Sequence, residues 1–273
     1  TLLTCADAVT QKELLAKIAS GAEIVSVAHA EPNGRWDLAG ITLRAKGSGG
    51  SVTLDGEKTL VLDGHSADVL LVVARGDTGL ELLRVNANAP GLSRSAISPL
   101  DLTRKLARLR FADTPATHIS SGDQTANLER VLAFVCAALA AEQVGGAQKC
   151  LEMATEYAKS RLQFGRPIGS YQAIKHKCAE MLVSVEMAKS AATNALFIAA
   201  ADEPDFIEAA ALAKAYCSEA YFHAAADNIQ IHGGMGFTWE AAPHLYFKRA
   251  KSSELLFGDS AHHREELAKH VGL

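Results

Sequence analysis

The chain changes texture along its length. From about Glu23 to Thr114, apolar residues come in short runs that alternate with polar ones and are separated by turn residues, as in "EIVSVAHAEPNG", "WDLAGITLRAKGSGG", "ADVLLVVARGDTG" and "LELLRVNANAPG". Period-two alternation in runs of this length predicts antiparallel β-strands. In "LDGEKTLVLDG" the pair Asp55-Gly56 supplies the positive φ of a tight turn between two alternating runs, so a hairpin is expected there. After Asn127 apolar residues recur every three or four positions in long stretches rich in Ala, Leu, Glu and Lys. This predicts helices over Leu128 to Arg161, Tyr171 to Ala200, Phe206 to His232, Pro243 to Leu256 and Ala261 to His270. "GRPIG", "DEPD" and "GGMG" fill the short intervals, so the helices should pack as an antiparallel bundle. A short helix, Gln11 to Ala19, precedes the β part, and "ADTPATHISSGDQTAN", Ala112 to Asn127, is the linker-like interval. The expected fold class is α+β: a small antiparallel β domain, 23–114, followed by an antiparallel helical bundle, 115–273.

Composition narrows the function classes. At 273 residues, 48% hydrophobic, with a formal charge of −4, the chain can bury a sizeable core and carries no basic footprint for nucleic acid. No apolar run is expected to cross a bilayer free of interrupting charges, so no membrane role is expected. The five cysteines are odd in number, widely spaced and without a C-x-x-C pair, which reads as reduced thiols. The N-terminus lacks a basic region followed by a long apolar stretch, and the expected location is cytoplasmic.

Three segments carry candidate chemistry. "SRLQFGRPIGSYQAIKH", Ser160 to His176, places Arg161 and Arg166 where an anion could pair with them, Phe164 where a ring could lie, and Gln172 near a helix start. "NIQIHGGMGFTWE", Asn228 to Glu240, puts Gly233 and Gly234 in a row after a helix, allowing close backbone approach to a bulky group. It is not a dinucleotide-binding loop, because it follows a helix and lacks the G-x-G-x-x-G spacing. "SSELLFGDSAHHREEL", Ser252 to Leu267, gathers Asp259, Ser260, His262 and His263. Neighbours at one helix start cannot face one another as a triad, so Asp259 or Ser260 is expected to cap the last helix as a single-residue cap. Adjacent histidines point about a hundred degrees apart on a helix, so no metal site is expected.

Taken together, "RLQFGRPIGSYQA", "IQIHGGMGF" and "KRAKSSELLFGDS", in that order after "AEPNG" and "LDGEKTLVLDG", closely resemble the middle β domain and C-terminal helical domain of the flavin-dependent acyl-CoA dehydrogenases. The likeness covers nearly the whole chain, and Gln11 to Gly21 resembles the end of the family's N-terminal helical domain, making 1–22 a remnant of it. Either the sequence is a fragment, or the chain forms no substrate pocket of its own.

The resemblance implies FAD as cofactor and α,β-dehydrogenation of an acyl-CoA thioester in a dimer or tetramer. It assigns Arg161, Phe164, Gln172, Gln230, Gly233 and Gly234 to contacts with FAD, several of them with a neighbouring subunit's FAD. It also exposes departures. The family's base, the glutamate of a Tyr-Glu-Gly-Thr segment, falls on Phe257 in Leu256-Phe257-Gly258-Asp259. An alternative base site on the first long helix falls on Val135. Glu142 and Glu129 lie on the same helix, with Glu142 about ten ångströms from Val135 by helix rise. Asp259 is two residues displaced and remains the weak in-chain candidate. On the flavin side, a Trp-Ile-Thr run is replaced by Leu60-Val61-Leu62, and Thr-Glu-Pro by Ala30-Glu31-Pro32, followed by Arg35-Trp36-Asp37.

The retained groups would serve a neighbour's FAD and the lost ones would serve catalysis. This resembles the non-catalytic subunit of heteromeric acyl-CoA dehydrogenases acting on steroid side-chain thioesters in actinobacteria. The expected assembly is a heterotetramer with a paralogous subunit that carries the glutamate, binds most of the acyl-CoA and shares its FAD. Two alternatives stay open: a self-sufficient homo-oligomer with Asp259 or a helix glutamate as base, and a flavin-free scaffold.

Overall fold

The computed structural model describes residues 1–47 and 52–272 and divides into two compact units, Thr1–Val131 and Leu132–Leu273. Positions 48–51, at the end of "WDLAGITLRAKGSGG", lie outside the described residues.

The first unit opens with α1 (Leu2–Cys5) and α2 (Ala8–Ser20). Asp7 starts α2 by accepting the Thr10 N–H at 2.8 Å, and Gly21, in the left-handed region, ends it. Seven strands follow: β1 (Val25–Ala28), β2 (Arg44–Lys46), β3 (Val52–Leu62), β4 (Val69–Arg75), β5 (Leu80–Asn86), β6 (Leu92–Ile97) and β7 (Leu106–His118). Their pairings close on themselves through β4, β2, β3, β7, β5 and back to β4, while β6 adds to β7. Most pairings are antiparallel, but β1 lies parallel to β4, which the alternation pattern alone does not reveal. Val52, Leu54, Val61, Leu70, Val72, Leu83, Val85 and Leu109 meet in the core.

The expected hairpin at Asp55-Gly56 does not form. β3 runs unbroken through it, and Gly56, at φ +138°, sits at a register shift against β7 between Leu54 and Gly56. A Cβ there would lie 2.7 Å from Leu43 Cδ1. The dipeptide bends the strand as a bulge and does not reverse it, because β7 is long enough to pair on both sides of it. A second shift, between Lys58 and Val61, puts Leu60 at φ +53°. The linker-like interval is also mostly ordered: β7 continues through Pro115 to His118, and α3 begins at Thr125.

Inside the β unit lies a buried ion pair. Lys58 Nζ stands 2.8 Å from Glu31 Oε1 and 3.0 Å from the His29 carbonyl, while Glu31 also accepts from the Leu43 N–H at 3.0 Å and from Thr42. Burial pushes the Lys58 ammonium down to about 8, against the pull of Glu31. Burial works to raise the Glu31 carboxyl, but Lys58, Thr42 and the Leu43 amide together hold it below its ordinary value.

The second unit contains most of α3 (Thr125–Ser160), then β8 (Leu162–Gln163), β9 (Arg166–Pro167), α4 (Gln172–Ala201), α5 (Phe206–His232), α6 (Pro243–Leu255) and α7 (Ser260–His270). Against expectation, α3 is long and apolar enough by length and composition to cross a membrane. Its apolar face, including Ala133, Ala137, Ala140, Ala147, Cys150 and Ala154, is buried in the two bundle clusters, as in a core helix. Small residues let the helices approach: a Cβ at Gly146 would fall 2.3 Å from the Tyr221 ring. All five cysteines are free thiols.

Removing one partner of a buried pair leaves an uncompensated charge. Lys58→Met should therefore cost the β unit ~3–5 kcal/mol in denaturant unfolding, and adding Glu31→Gln should recover part of the loss.

Candidate functional site

Arg161 leaves the end of α3, with its N–H on the Tyr157 carbonyl at 2.8 Å. The next six residues, Leu162 to Pro167, make a two-stranded hairpin, β8 against β9, in which Gln163 pairs with Arg166 and Leu162 with Pro167. Its two central residues, Phe164 at φ +52° and Gly165 at φ +78°, are both left-handed, as the tightest hairpin turns require. Glycine adopts this backbone freely, whereas at Phe164 it is strained, and the ring is 92% exposed. The Arg166 guanidinium lies 4.1 Å from the Tyr171 ring centroid, and the Tyr171 hydroxyl donates to the Gln163 carbonyl at 3.2 Å. These contacts tie the hairpin to the start of α4, where Gln172 is exposed.

The glycine turn closes α5. Gly233, at φ +61°, ends the helix, and no atom stands within 4 Å of where a Cβ would sit on Gly233 or Gly234. Gly236 differs, since its Cβ would fall 2.8 Å from the Ile229 carbonyl, and packing alone demands glycine there. Gln230 is exposed one turn before the turn itself. The two segments meet through rings that sequence reasoning did not single out. Tyr157 and His232 stack with centroids 4.2 Å apart and an interplanar angle of 22°. This places the end of α3 against the end of α5. An exposed guanidinium, an exposed ring and bare glycine backbone at one end of a bundle fit a diphosphate joined to an aromatic base.

The stretch from Leu256 to His263 has a different character. Asp259 is the N-cap of α7, accepting the His262 N–H at 2.8 Å, so its carboxylate is engaged as a cap. Ser260 donates to the Ala215 carbonyl at 3.0 Å, so the serine belongs to the packing between α7 and α5. Phe257, at φ +59°, packs against the cluster that includes Ala133, Cys136 and Ala137. Its carbonyl accepts from His263 Nε2 at 3.1 Å. Below it, the fully buried Lys214 donates to Ser218 Oγ at 3.1 Å, the Glu254 carbonyl at 2.9 Å and the Gly258 carbonyl at 2.8 Å. The signal for Lys214 was present in the sequence as one lysine among alanines on a helix that otherwise reads as core.

Glu142 holds Arg249 through both oxygens, at 3.1 and 3.0 Å, and accepts from Ser253. Val135 is half-buried on α3, and Glu129 is exposed. In the β unit, the Thr59 N–H donates to the Ala30 carbonyl at 2.9 Å, so the segments around Ala30 and Leu60 are neighbours. Their side chains there are a methyl and an isobutyl group.

Two predictions follow from this geometry. Asn caps helices as well as Asp, so Asp259→Asn should leave stability within ~0.5 kcal/mol while Asp259→Ala costs ~1 kcal/mol by thermal unfolding. Burial, aided by Lys214, pushes the His263 imidazole down to about 4, and burial with Lys58 nearby does the same to His29. Both stay neutral when folded, whereas the unfolded chain takes up protons below its ordinary value near 6.5. Their contribution is present above pH 6.5 and lost as pH falls towards 4, by up to ~2–3 kcal/mol each. A pH series of unfolding free energies should show a shallower acid slope in His263→Gln.

The chain resembles known families and structures along most of its length. The profile for "Acyl-CoA dehydrogenase, C-terminal domain" matches residues 126–272, and that for "Acyl-CoA dehydrogenase, middle domain" matches residues 26–113. The acyl-CoA dehydrogenase IpdE2 of Mycobacterium tuberculosis is 39% identical over 236 residues, covering 86% of this chain and 65% of its own length. The chain thus spans under two thirds of that relative. Butyryl-CoA dehydrogenase from Megasphaera elsdenii superposes with a TM-score of 0.92 at 23% identity, over 99% of this chain and 73% of its own, a likeness of fold. The Tcur3481-Tcur3483 steroid ACAD superposes with a TM-score of 0.89 at 28% identity, over 97% of this chain and 72% of its own. With both family profiles matched in order over most of its length, the chain belongs to the acyl-CoA dehydrogenase family.

Proposed function

We propose that this chain is a subunit of a FAD-dependent acyl-CoA dehydrogenase that completes a neighbouring subunit's FAD site without supplying the catalytic base. The observation that carries this reading is the fate of the carboxylates. Position 257, where the family's base would fall, holds a phenylalanine packed into the bundle. The fallback Asp259 is spent on a helix cap and Glu142 on Arg249. The barrier to removing a proton beside a thioester carbonyl falls only with a base in hydrogen-bonding reach, and a group held elsewhere in the fold does not provide it.

The groups suited to the ADP half of FAD are retained. Arg161 would pair with the diphosphate, Phe164 would lie against the adenine end, and Gly233 with Gly234 would admit the phosphates to bare backbone, with Gln172 and Gln230 adding amide contacts. When bound, FAD accepts the hydride from the β carbon of the thioester. Around Ala30 and Leu60 this chain offers aliphatic groups, which suits a reading in which the flavin ring rests on another polypeptide. That polypeptide would be a paralogous subunit with the glutamate and the acyl pocket, in a heterotetramer. The likeness to IpdE2 and to a steroid ACAD favours a steroid-derived thioester as substrate, and the five free thiols suit a cytoplasmic setting.

The test is a pair of variants in the purified assembly. Arg161→Ala should weaken FAD binding about 10- to 100-fold, the loss of a charge-assisted contact, and lower the flavin absorbance per chain. Asp259→Asn should leave turnover within about twofold, since the cap is kept. A large turnover loss in Asp259→Asn with FAD retained would make Asp259 the base and reject the reading.

A further inference from the structure

The two segments assigned to FAD lie far apart in sequence, so whatever fixes them relative to each other sets whether one diphosphate can meet both. We propose that Tyr157 and His232 are a positioning pair, a stacked joint that holds the Arg161 end of α3 in register with the Gly233-Gly234 turn of α5. The proposal rests on the reading that these segments hold the ADP half of FAD, and it assigns a role to two residues that would not touch the cofactor chemistry themselves.

Each ring sits at the root of one segment. Tyr157 lies one helical turn before Arg161, and its carbonyl takes the Arg161 N–H at 2.8 Å, so the backbone from which the guanidinium extends hangs from this residue. His232 is the last residue of α5 and immediately precedes Gly233. The imidazole is not free to turn. Its Nδ1 lies 2.8 Å from the Asn228 carbonyl, and because a carbonyl oxygen only accepts, Nδ1 carries the proton and donates. Asn228 is fully buried, so the ring is referenced to the bundle interior. Tyr157 is referenced to the same interior, packing with the cluster of Cys150, Ala154, Met181 and Tyr221.

Face-to-face contact at 4.2 Å between two rings each fixed to a different helix end leaves little freedom for the ends to slide or separate. The α3 end also leads directly into the hairpin that displays Phe164, and the α5 end into the glycine turn. A shift of either end by an ångström would move Arg161 and the turn out of common reach of a diphosphate, although every contacting group would still be present. That is the distinction between a positioning residue and a binding residue. Loss of the joint should lower affinity without deleting any contact, and a second loss at the same joint should add little.

A double-mutant cycle tests this, read by FAD titration with flavin fluorescence on the assembled protein and by ADP as competitor. Tyr157→Leu and His232→Ala should each weaken FAD and ADP by about 3- to 10-fold, and the double variant should be no weaker than the worse single one. Tyr157→Phe keeps the ring and should bind as the unmodified protein does. If Tyr157→Leu compromises folding, His232→Ala and Tyr157→Phe still decide the matter. Unchanged affinity in His232→Ala, loss of affinity in Tyr157→Phe, or losses that multiply in the double variant would overturn the joint. Arg161→Ala separates the two levels. If it weakens FAD while the ring variants do not, the joint alone fails; if it too is without effect, the reading of the cofactor site fails.

Discussion

A buried ammonium has to find oxygen, and in this bundle that requirement shapes everything around the break between α6 and α7. Lys214 sits fully buried on α5 and meets the need with Ser218 on its own helix and the carbonyls of Glu254 and Gly258. Those carbonyls belong to the last turn of α6 and to the segment after it, so the lysine fixes where α6 stops. The chain then turns through two left-handed residues, Phe257 and Gly258, and restarts as α7 under the Asp259 cap. His263, held neutral by the same buried surroundings, adds a bond to the Phe257 carbonyl. The main-chain path of this loop is therefore held from the interior, by bonds to its carbonyls, while the Phe257 ring adds apolar packing against the bundle.

The hydrogen bonds that hold the loop run to main-chain carbonyls, so they do not require any particular side chain to supply an acceptor. A charged side chain at 257 would not be required to hold Lys214, because backbone carbonyls and Ser218 already do so. The same logic holds in the β unit, where the Lys58–Glu31 pair and the Thr59 to Ala30 hydrogen bond keep two segments together whether or not their side chains are polar. In both units a buried lysine is held by main-chain carbonyls, joined by Ser218 in the bundle and Glu31 in the β unit.

Much of this was legible in the sequence. The helices of the bundle fall within a few residues of where apolar spacing puts them, and the last helix, for which the sequence offers Asp259 or Ser260 as cap, uses Asp259. Asp-Gly predicts a hairpin because it is a local signal, while the pairing of β3 along the length of β7 is a long-range one that turns the same dipeptide into a bulge. The strand through Pro115 was hidden by a composition typical of linkers. The candidate site was legible as two separate motifs. What joins them, the stack of Tyr157 on His232, has no spacing rule, since it depends on how two helix ends far apart in sequence are brought together by the packing of small residues such as Gly146 and Ala147 between them.

The central claim is the proposed one, that the catalytic carboxylate comes from another subunit. It is tested most directly by purifying the chain alone and together with a paralogous acyl-CoA dehydrogenase subunit, and following the flavin spectrum on anaerobic addition of an acyl-CoA thioester. The account predicts bleaching only in the complex. Bleaching by the chain alone, at a rate matching the complex, would contradict it.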